Sequence, residues 1–318
     1  MKITRLKYFL PEKILTNNDL GALFPSWDIA QFEKKVGIKA RHIASDDETA
    51  LDLGYKAAES LLQHEDKTTI DFLLFCSQSP DYFLPTSACI LQDKLGLNKS
   101  IGALDFNLGC TGFIYGLSLA KGLITGKIAR KVLLITAETY SKYIHPQDKT
   151  NRAIFGDGAA ACIIKDSKNE DIGTFVLGTD GSGYDKLIVK NGANRNNADN
   201  KQNNHLFMAG SDIMHFTIET VPSLITRTLE KNNLSLKDIK YFIYHQANAY
   251  ILNLLRKKSK IDINRLCIDM ETTGNTVSST IPIVLANLLS SGGTRPGDKI
   301  LLAGFGVGLS WGATIITI

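Results

Sequence analysis

A cysteine stands between two glycines in Leu108-Gly109-Cys110-Thr111-Gly112-Phe113. Before it, Ala103, Leu104, Asp105 and Phe106 read as the end of a buried strand. After it, Phe113, Ile114, Leu117, Ala120 and Ile124 recur at the spacing of one helical face. A thiol at such a strand-to-helix turn lies beside unpaired backbone N–H groups. Those groups and the helix dipole favour the thiolate, which is the nucleophilic form. Taken alone, a cysteine is more often a small core residue. Two other polar residues bear on the choice. His245 ends the apolar run Ile239–Tyr244, and Asn275 follows Gly274 ahead of Val277, Ile281, Val284 and Leu288. Each also has a bland reading by itself, a hydrogen-bonded histidine and a helix cap.

The elements that must position these residues follow from periodicity. Residues 46–63 carry a helical pattern, and 69–76 form a short apolar run typical of a buried strand. Pro80 to Pro85 is a loop, and Ala88, Leu91 and Leu95 suggest a helix. Lys131–Thr136 reads as a strand. Phe155-Gly156-Asp157-Gly158 reads as a tight turn into a strand of small residues, without the spacing of a phosphate-cradling loop. The stretch from Asn191 to Asn204 is polar and turn-rich, which predicts an exposed mobile loop. Ser211 is placed to cap a long helix bearing Ile213, Phe216, Val221, Ile225 and Leu229.

Four segments then recur in order. Ile239–His245 answers Ile70–Cys76, Gly274-Asn275-Thr276 answers Gly109-Cys110-Thr111, Lys299–Leu302 answers Lys131–Leu134, and Gly308–Ile316 answers the GDGAAACII strand. This order predicts two similar α/β halves, residues 1–170 and 171–318, packed face to face. The repeat sets Cys110 and Asn275 at equivalent helix starts, and Cys76 and His245 at equivalent strand ends. A pseudo-twofold axis between the halves brings them together, and that convergence favours chemistry over packing.

Composition narrows the class. The chain has 318 residues, 44% hydrophobic and 21% charged, with a formal charge of +4. That is an ordinary globular balance, too mildly basic for a protein built around nucleic acid. The opening Met1–Lys7 lacks the apolar core of a signal peptide, and no apolar run approaches a membrane span. Five cysteines are scattered without CxxC spacing, so neither a zinc site nor a disulfide framework is expected, and a reducing cytoplasm suits them.

The chain resembles the β-ketoacyl-acyl-carrier-protein synthases of type III, in the thiolase superfamily, over essentially its whole length. The resemblance rests on NLGCTGF, FGDGAAA, YHQAN, GNTVSSTIP and GFGVGLSWGA, in this order. It implies a thiolase-like five-layered αβαβα sandwich, a homodimer, and an acyltransferase that needs no cofactor or metal. Cys110 would take the acyl group from acyl-CoA or acyl carrier protein (ACP), with the N–H groups of Cys110 and Val307 as the oxyanion hole. His245 and Asn275 would donate hydrogen bonds to the malonyl-ACP thioester during a decarboxylative Claisen condensation, in fatty-acid initiation or a specialised pathway. Asn248 would reach the pantetheine arm, and Phe155 and Leu206 are candidate pocket-lining residues. Arg256, Lys257 and Lys258, extended by Lys260, would meet the acidic carrier protein. The rival is an acyltransferase of the same fold that passes the acyl group to a hydroxyl or amine.

Several positions depart from the family pattern. Gln31 stands where a CoA-stacking tryptophan is usual, Lys149 and Lys35 where arginines are usual, and Ser211 where an arm-binding asparagine is usual. Tyr250 replaces a docking arginine, and Leu84 a pocket phenylalanine. These departures point to a primer delivered on a carrier protein, or to a nucleotide seated differently.

Overall fold

The apolar runs become strands buried on both faces. The computed structural model describes residues 1–194 and 204–318, so the part of the predicted polar loop from 195 to 203 lies outside the described residues. In the first half, β1 (Lys2–Phe9), β2 (Phe72–Cys76), β3 (Gly102–Phe106), β4 (Lys131–Glu138) and β5 (Gly158–Lys165) form one sheet in the order β1-β5-β4-β2-β3. In the second, β6 (Val176–Thr179), β7 (Tyr241–Tyr244), β8 (Leu266–Cys267), β9 (Lys299–Gly306) and β10 (Ser310–Thr317) are ordered β6-β10-β9-β7-β8. Both sheets run antiparallel, antiparallel, parallel, parallel across that order. The repeat read from four segments is therefore a repeat of a whole sheet topology.

Three helical layers enclose the two sheets. Helices α1 (Ala50–Leu62) and α2 (Ser87–Lys94) cover the outer face of the first sheet. Helices α4 (Gly210–Lys231) and α5 (Ala249–Lys258) cover the outer side of the second. Between the sheets lie α3 (Gly112–Thr125) and α6 (Thr280–Ser290), each touching strands of both halves. Side chains alternate between the layers, as a pleated strand requires. Leu133 and Ile135 of β4 enter the outer core, while Val132 and Leu134 enter the inter-sheet core. In β9, Leu301 and Ala303 face outward and Ile300 and Leu302 face the middle layer. Each Leu or Ile so buried contributes roughly 1.5–3 kcal/mol, and because both faces are filled, no register slip is free of cost.

α3 and α6 matter most for function. They point their N-termini at the seam between the halves, where the residues just ahead of each helix meet.

Candidate active site

Cys110 sits on the turn between β3 and α3, closed by the Gly112 N–H donating to Gly109 O (2.7 Å). A side chain at position 112 would strike Cys76 Sγ at 2.3 Å, so glycine is required where the two cysteines' elements cross. Cys76 lies behind the turn, buried, its thiol donating to Leu108 O (3.1 Å). Although it ends a strand equivalent to the one before His245, it supports the turn rather than lining the cavity.

The Cys110 sulfur accepts from two backbone N–H groups, those of Val307 and of Cys110 itself. Val307 follows β9, and its loop is tied to the cysteine turn. Ser310 Oγ donates to Val307 O (2.8 Å) and lies 2.9 Å from Thr111 Oγ1. Gly306 brings the loop close: its φ is +156°, and a Cβ there would meet Cys110 Sγ at 2.8 Å. Burial pushes the Cys110 thiol up to about 12, against the two N–H groups, with the nearby Glu138 carboxyl adding to the rise. The helix start was expected to favour thiolate. Desolvation between the two halves outweighs it, so the resting sulfur is a thiol.

His245 follows β7, is buried, and is held neutral by burial, which takes its pKa down to about 3. Its Nδ1 lies 2.8 Å from Thr280 Oγ1, whose hydroxyl donates to Val277 O (3.1 Å). With that hydroxyl hydrogen committed, Nδ1 carries the ring proton and Nε2 is a bare acceptor. In the other tautomer the ring proton sits on Nε2 and Nδ1 accepts from the Thr280 hydroxyl. Asn275 Nδ2 lies 3.5 Å from Nε2. Asn275 is fixed from three sides: its N–H donates to Ile154 O (2.8 Å), its carbonyl accepts from Gly156 N–H (3.1 Å), and its Oδ1 accepts from Val277 N–H (2.9 Å). The FGDG turn of one half therefore holds the asparagine of the other. A short 3₁₀ turn, Val277–Ser279, separates Asn275 from α6, where a direct helix start was expected.

Cys110, His245 and Asn275 share one cavity of about 360 Å³ with Phe305 and Gly306. Of the other expected substrate contacts, Lys35, Asn248, Ser211 and Phe155 line the same cavity. Asn248 also caps α5, its Oδ1 accepting from Ile251 N–H (2.9 Å), which leaves its amide NH₂ for a ligand. Ser211 does not cap α4: Ala209 occupies that position, and Ser211 lies in the first turn. Leu84 and Leu206 line a second cavity, of about 880 Å³, together with Val307, Gln78, Tyr140 and Leu187, and Leu187 lines both cavities.

The mouth differs from what the linear alignment predicts. Gln31 replaces the expected tryptophan, but Trp27, four residues earlier, packs on Phe32 (ring centroids 4.9 Å) under Lys149 (Nζ 5.6 Å from the ring). Lys149 and this indole do not line the cavity themselves but adjoin Thr150 and Phe32, which do. Lys35 Nζ lies over the Tyr250 ring at 5.2 Å. On α5, Arg256 is half-buried and donates to Ile261 O (3.1 Å), which ties down the helix end, so Lys257, Lys258 and Lys260 form the exposed patch.

Sequence comparison decides the lineage. Residues 104–181 match the 3-oxoacyl-[acyl-carrier-protein] synthase III family profile, and 229–318 match that of its C-terminal region. The chain is 35% identical to "Beta-ketoacyl-[acyl-carrier-protein] synthase III 2" of Halalkalibacterium halodurans, over 99% of this chain and 96% of that one. The chain belongs to the 3-oxoacyl-[acyl-carrier-protein] synthase III family. A second relative, the synthase III of Clostridium tetani, is also 35% identical, over 97% of this chain and 95% of its own. A crystal structure of a 3-oxoacyl-(acyl-carrier-protein) synthase III superposes with a TM-score of 0.97 at 44% identity, covering 99% of each chain. The protein is thus a condensing enzyme of the acyltransferase class on a thiolase-type fold, and transfer to a hydroxyl or amine is not favoured. Among the described residues no helix is long and apolar enough to cross a membrane.

Three site residues were not legible as such beforehand. Trp27, Thr280 and Glu138 lie outside the five motifs or, in the case of Thr280, inside one without a distinguishing spacing. Thr280 was the most accessible, since it stands five residues after Asn275 in GNTVSST.

Proposed function

We propose that Cys110 carries the primer acyl group and that His245 and Asn275 then drive decarboxylation of malonyl-ACP. The observation that supports this most is the shared floor of the cavity, where one buried thiol meets two backbone N–H donors and a His–Asn pair. In the first half-reaction the bare His245 Nε2 takes the Cys110 proton as sulfur bonds to the primer's thioester carbonyl. The Cys110 and Val307 N–H groups hold the oxyanion. The carrier's C–S bond breaks, and its thiolate leaves with the proton from His245. In the second, His245 takes the tautomer with its proton on Nε2, one proton being gained there and one released from Nδ1 by exchange with water. Nδ1 then accepts from the Thr280 hydroxyl, so that Nε2–H and Asn275 Nδ2–H both donate to the malonyl thioester carbonyl. Loss of carbon dioxide sends its electron pair into an enolate at that oxygen. The enolate carbon attacks the acyl-cysteine, the C–S bond breaks, and Cys110 regains a proton. The product is a 3-oxoacyl thioester. With the one proton that the Cys110 thiolate takes up from solvent, the sequence balances with the two thioesters and calls for no cofactor.

The rim supports acyl-CoA as a donor. Trp27 and Tyr250 offer aromatic faces, and Lys149 and Lys35 stand over them, a combination suited to a base and its phosphates. Lys257, Lys258 and Lys260 suit an acidic carrier protein. The protein acts as a homodimer in the cytoplasm: β3 is a sheet edge with Leu104 exposed, and Tyr82, Phe83 and Leu84 stand 60%, 78% and 82% exposed beside the second cavity. An unpaired edge flanked by apolar side chains calls for a partner.

The test is intact-mass measurement after incubation with acyl-CoA and acyl-ACP panels. An acyl adduct is expected on the wild type and not on Cys110→Ala. Asn275→Ala should acylate normally and release carbon dioxide from malonyl-ACP about 10²–10³ more slowly. No adduct from any donor would overturn the proposal.

A further inference from the structure

The side chain at the end of β4 is a carboxyl with no access to water. Glu138 is fully buried at the seam between the halves. In its own half it accepts from the Gln78 N–H through both oxygens (3.1 Å each) and from Ser79 Oγ (3.0 Å). From the other half it accepts from Ser278 Oγ (3.1 Å). Ser278 belongs to the short turn that carries Asn275, and that turn is held in a costly conformation. Val277 has φ +54°, a left-handed backbone that a β-branched residue rarely adopts. Strain of this kind persists only where surrounding contacts over-determine it. Asn275 Oδ1 grips the turn from one side through the Val277 N–H (2.9 Å), and Glu138 grips it from the other through Ser278.

The two steps of the reaction use different groups. Acylation uses Cys110, its N–H and that of Val307, together with the base His245. Decarboxylation alone uses the amide of Asn275. The turn also reaches His245 through Val277 O and Thr280, but it holds Asn275 directly, so a contact that fixes the turn at Ser278 should act more on the second step than on the first.

We propose that Glu138 is a positioning residue that clamps the strained Val277 turn across the seam through Ser278, and so sets the Asn275 amide for malonyl decarboxylation. The proposal rests on the two-step function above. The Ser278 hydroxyl is the only atom through which the clamp reaches the second half among the described residues. Removing it spares the three bonds to Gln78 and Ser79.

Single-turnover measurements on Ser278→Ala separate the steps. The expected result is a Cys110 acylation rate within about twofold of wild type and carbon dioxide release from malonyl-ACP slowed about 10-fold or more, with KM for malonyl-ACP changed less than kcat. Glu138→Gln, which keeps the shape but turns an NH₂ towards its donors, should slow carbon dioxide release more strongly still, and because it also removes the carboxyl that raises the Cys110 thiol, its acylation rate is not the discriminating readout. Equal slowing of both steps in Ser278→Ala, or no slowing of either, would overturn the clamp. Should Glu138→Gln fail to fold, Ser278→Ala still decides. A wild type that forms no acyl adduct would instead refute the two-step function on which the clamp rests.

Discussion

Gly306→Ala tests how tightly the Val307 loop is fitted to the nucleophile. The added methyl carbon would stand 2.8 Å from Cys110 Sγ and 2.9 Å from Cys110 Cβ. Unstrained contacts between such atoms lie at about 3.5–4.0 Å, so the loop and the cysteine must part by roughly 0.7–1.2 Å. Neither side yields easily. Cys110 is held by the closed turn before α3, and Val307 by Ser310 Oγ and, through it, Thr111. Overpacking of this kind costs about 1–3 kcal/mol of stability. The larger effect falls on chemistry, because the Val307 N–H moves off the position of the developing oxyanion. A displacement near 1 Å costs on the order of 10² in rate, about 2.7 kcal/mol of transition-state stabilisation at 1.36 kcal/mol per decade. The assay is the rate of Cys110 acylation by stopped mass analysis, with circular dichroism confirming the fold. A folded Gly306→Ala enzyme that acylates at the wild-type rate would refute the assignment of the Val307 N–H to the oxyanion hole.

Two further outcomes are expected. His245 has a folded pKa of about 3, below its unfolded value of 6.5, so the unfolded chain binds the extra proton between those values and stability falls as pH drops from 6.5 through 3. At pH 5 the wild type should have lost about 2 kcal/mol relative to pH 7.5 when compared with His245→Gln, read from denaturant midpoints; parallel pH dependence in the two proteins would contradict a buried neutral imidazole. Trp27→Ala should raise KM for acyl-CoA several-fold and leave KM for acyl-ACP unchanged, and an equal change for both donors would remove Trp27 from any nucleotide contact.

The sequence alone determined the architecture and the three residues, Cys110, His245 and Asn275, that meet in one cavity, because those are encoded locally. Glycine at 109, 112 and 274 marks turns that few other residues can make, apolar spacing marks the strands and helices, and a repeat in constant order implies an axis that brings Cys110, His245 and Asn275 together. Whatever depends on burial or on rotation about a helix was decided only by the tertiary structure. Trp27 reaches Lys149 because the loop before the helix Ile29–Val36 folds back on Phe32, which counting residues from Gly37 does not reveal. Arg256 is drawn from the basic patch because its guanidinium donates to the Ile261 carbonyl and is half-buried there. The protonation of Cys110 and His245 was set last and from farthest away. A helix start favours a thiolate, but both groups lie where two sheets exclude water from either side, and desolvation outweighs the local dipole.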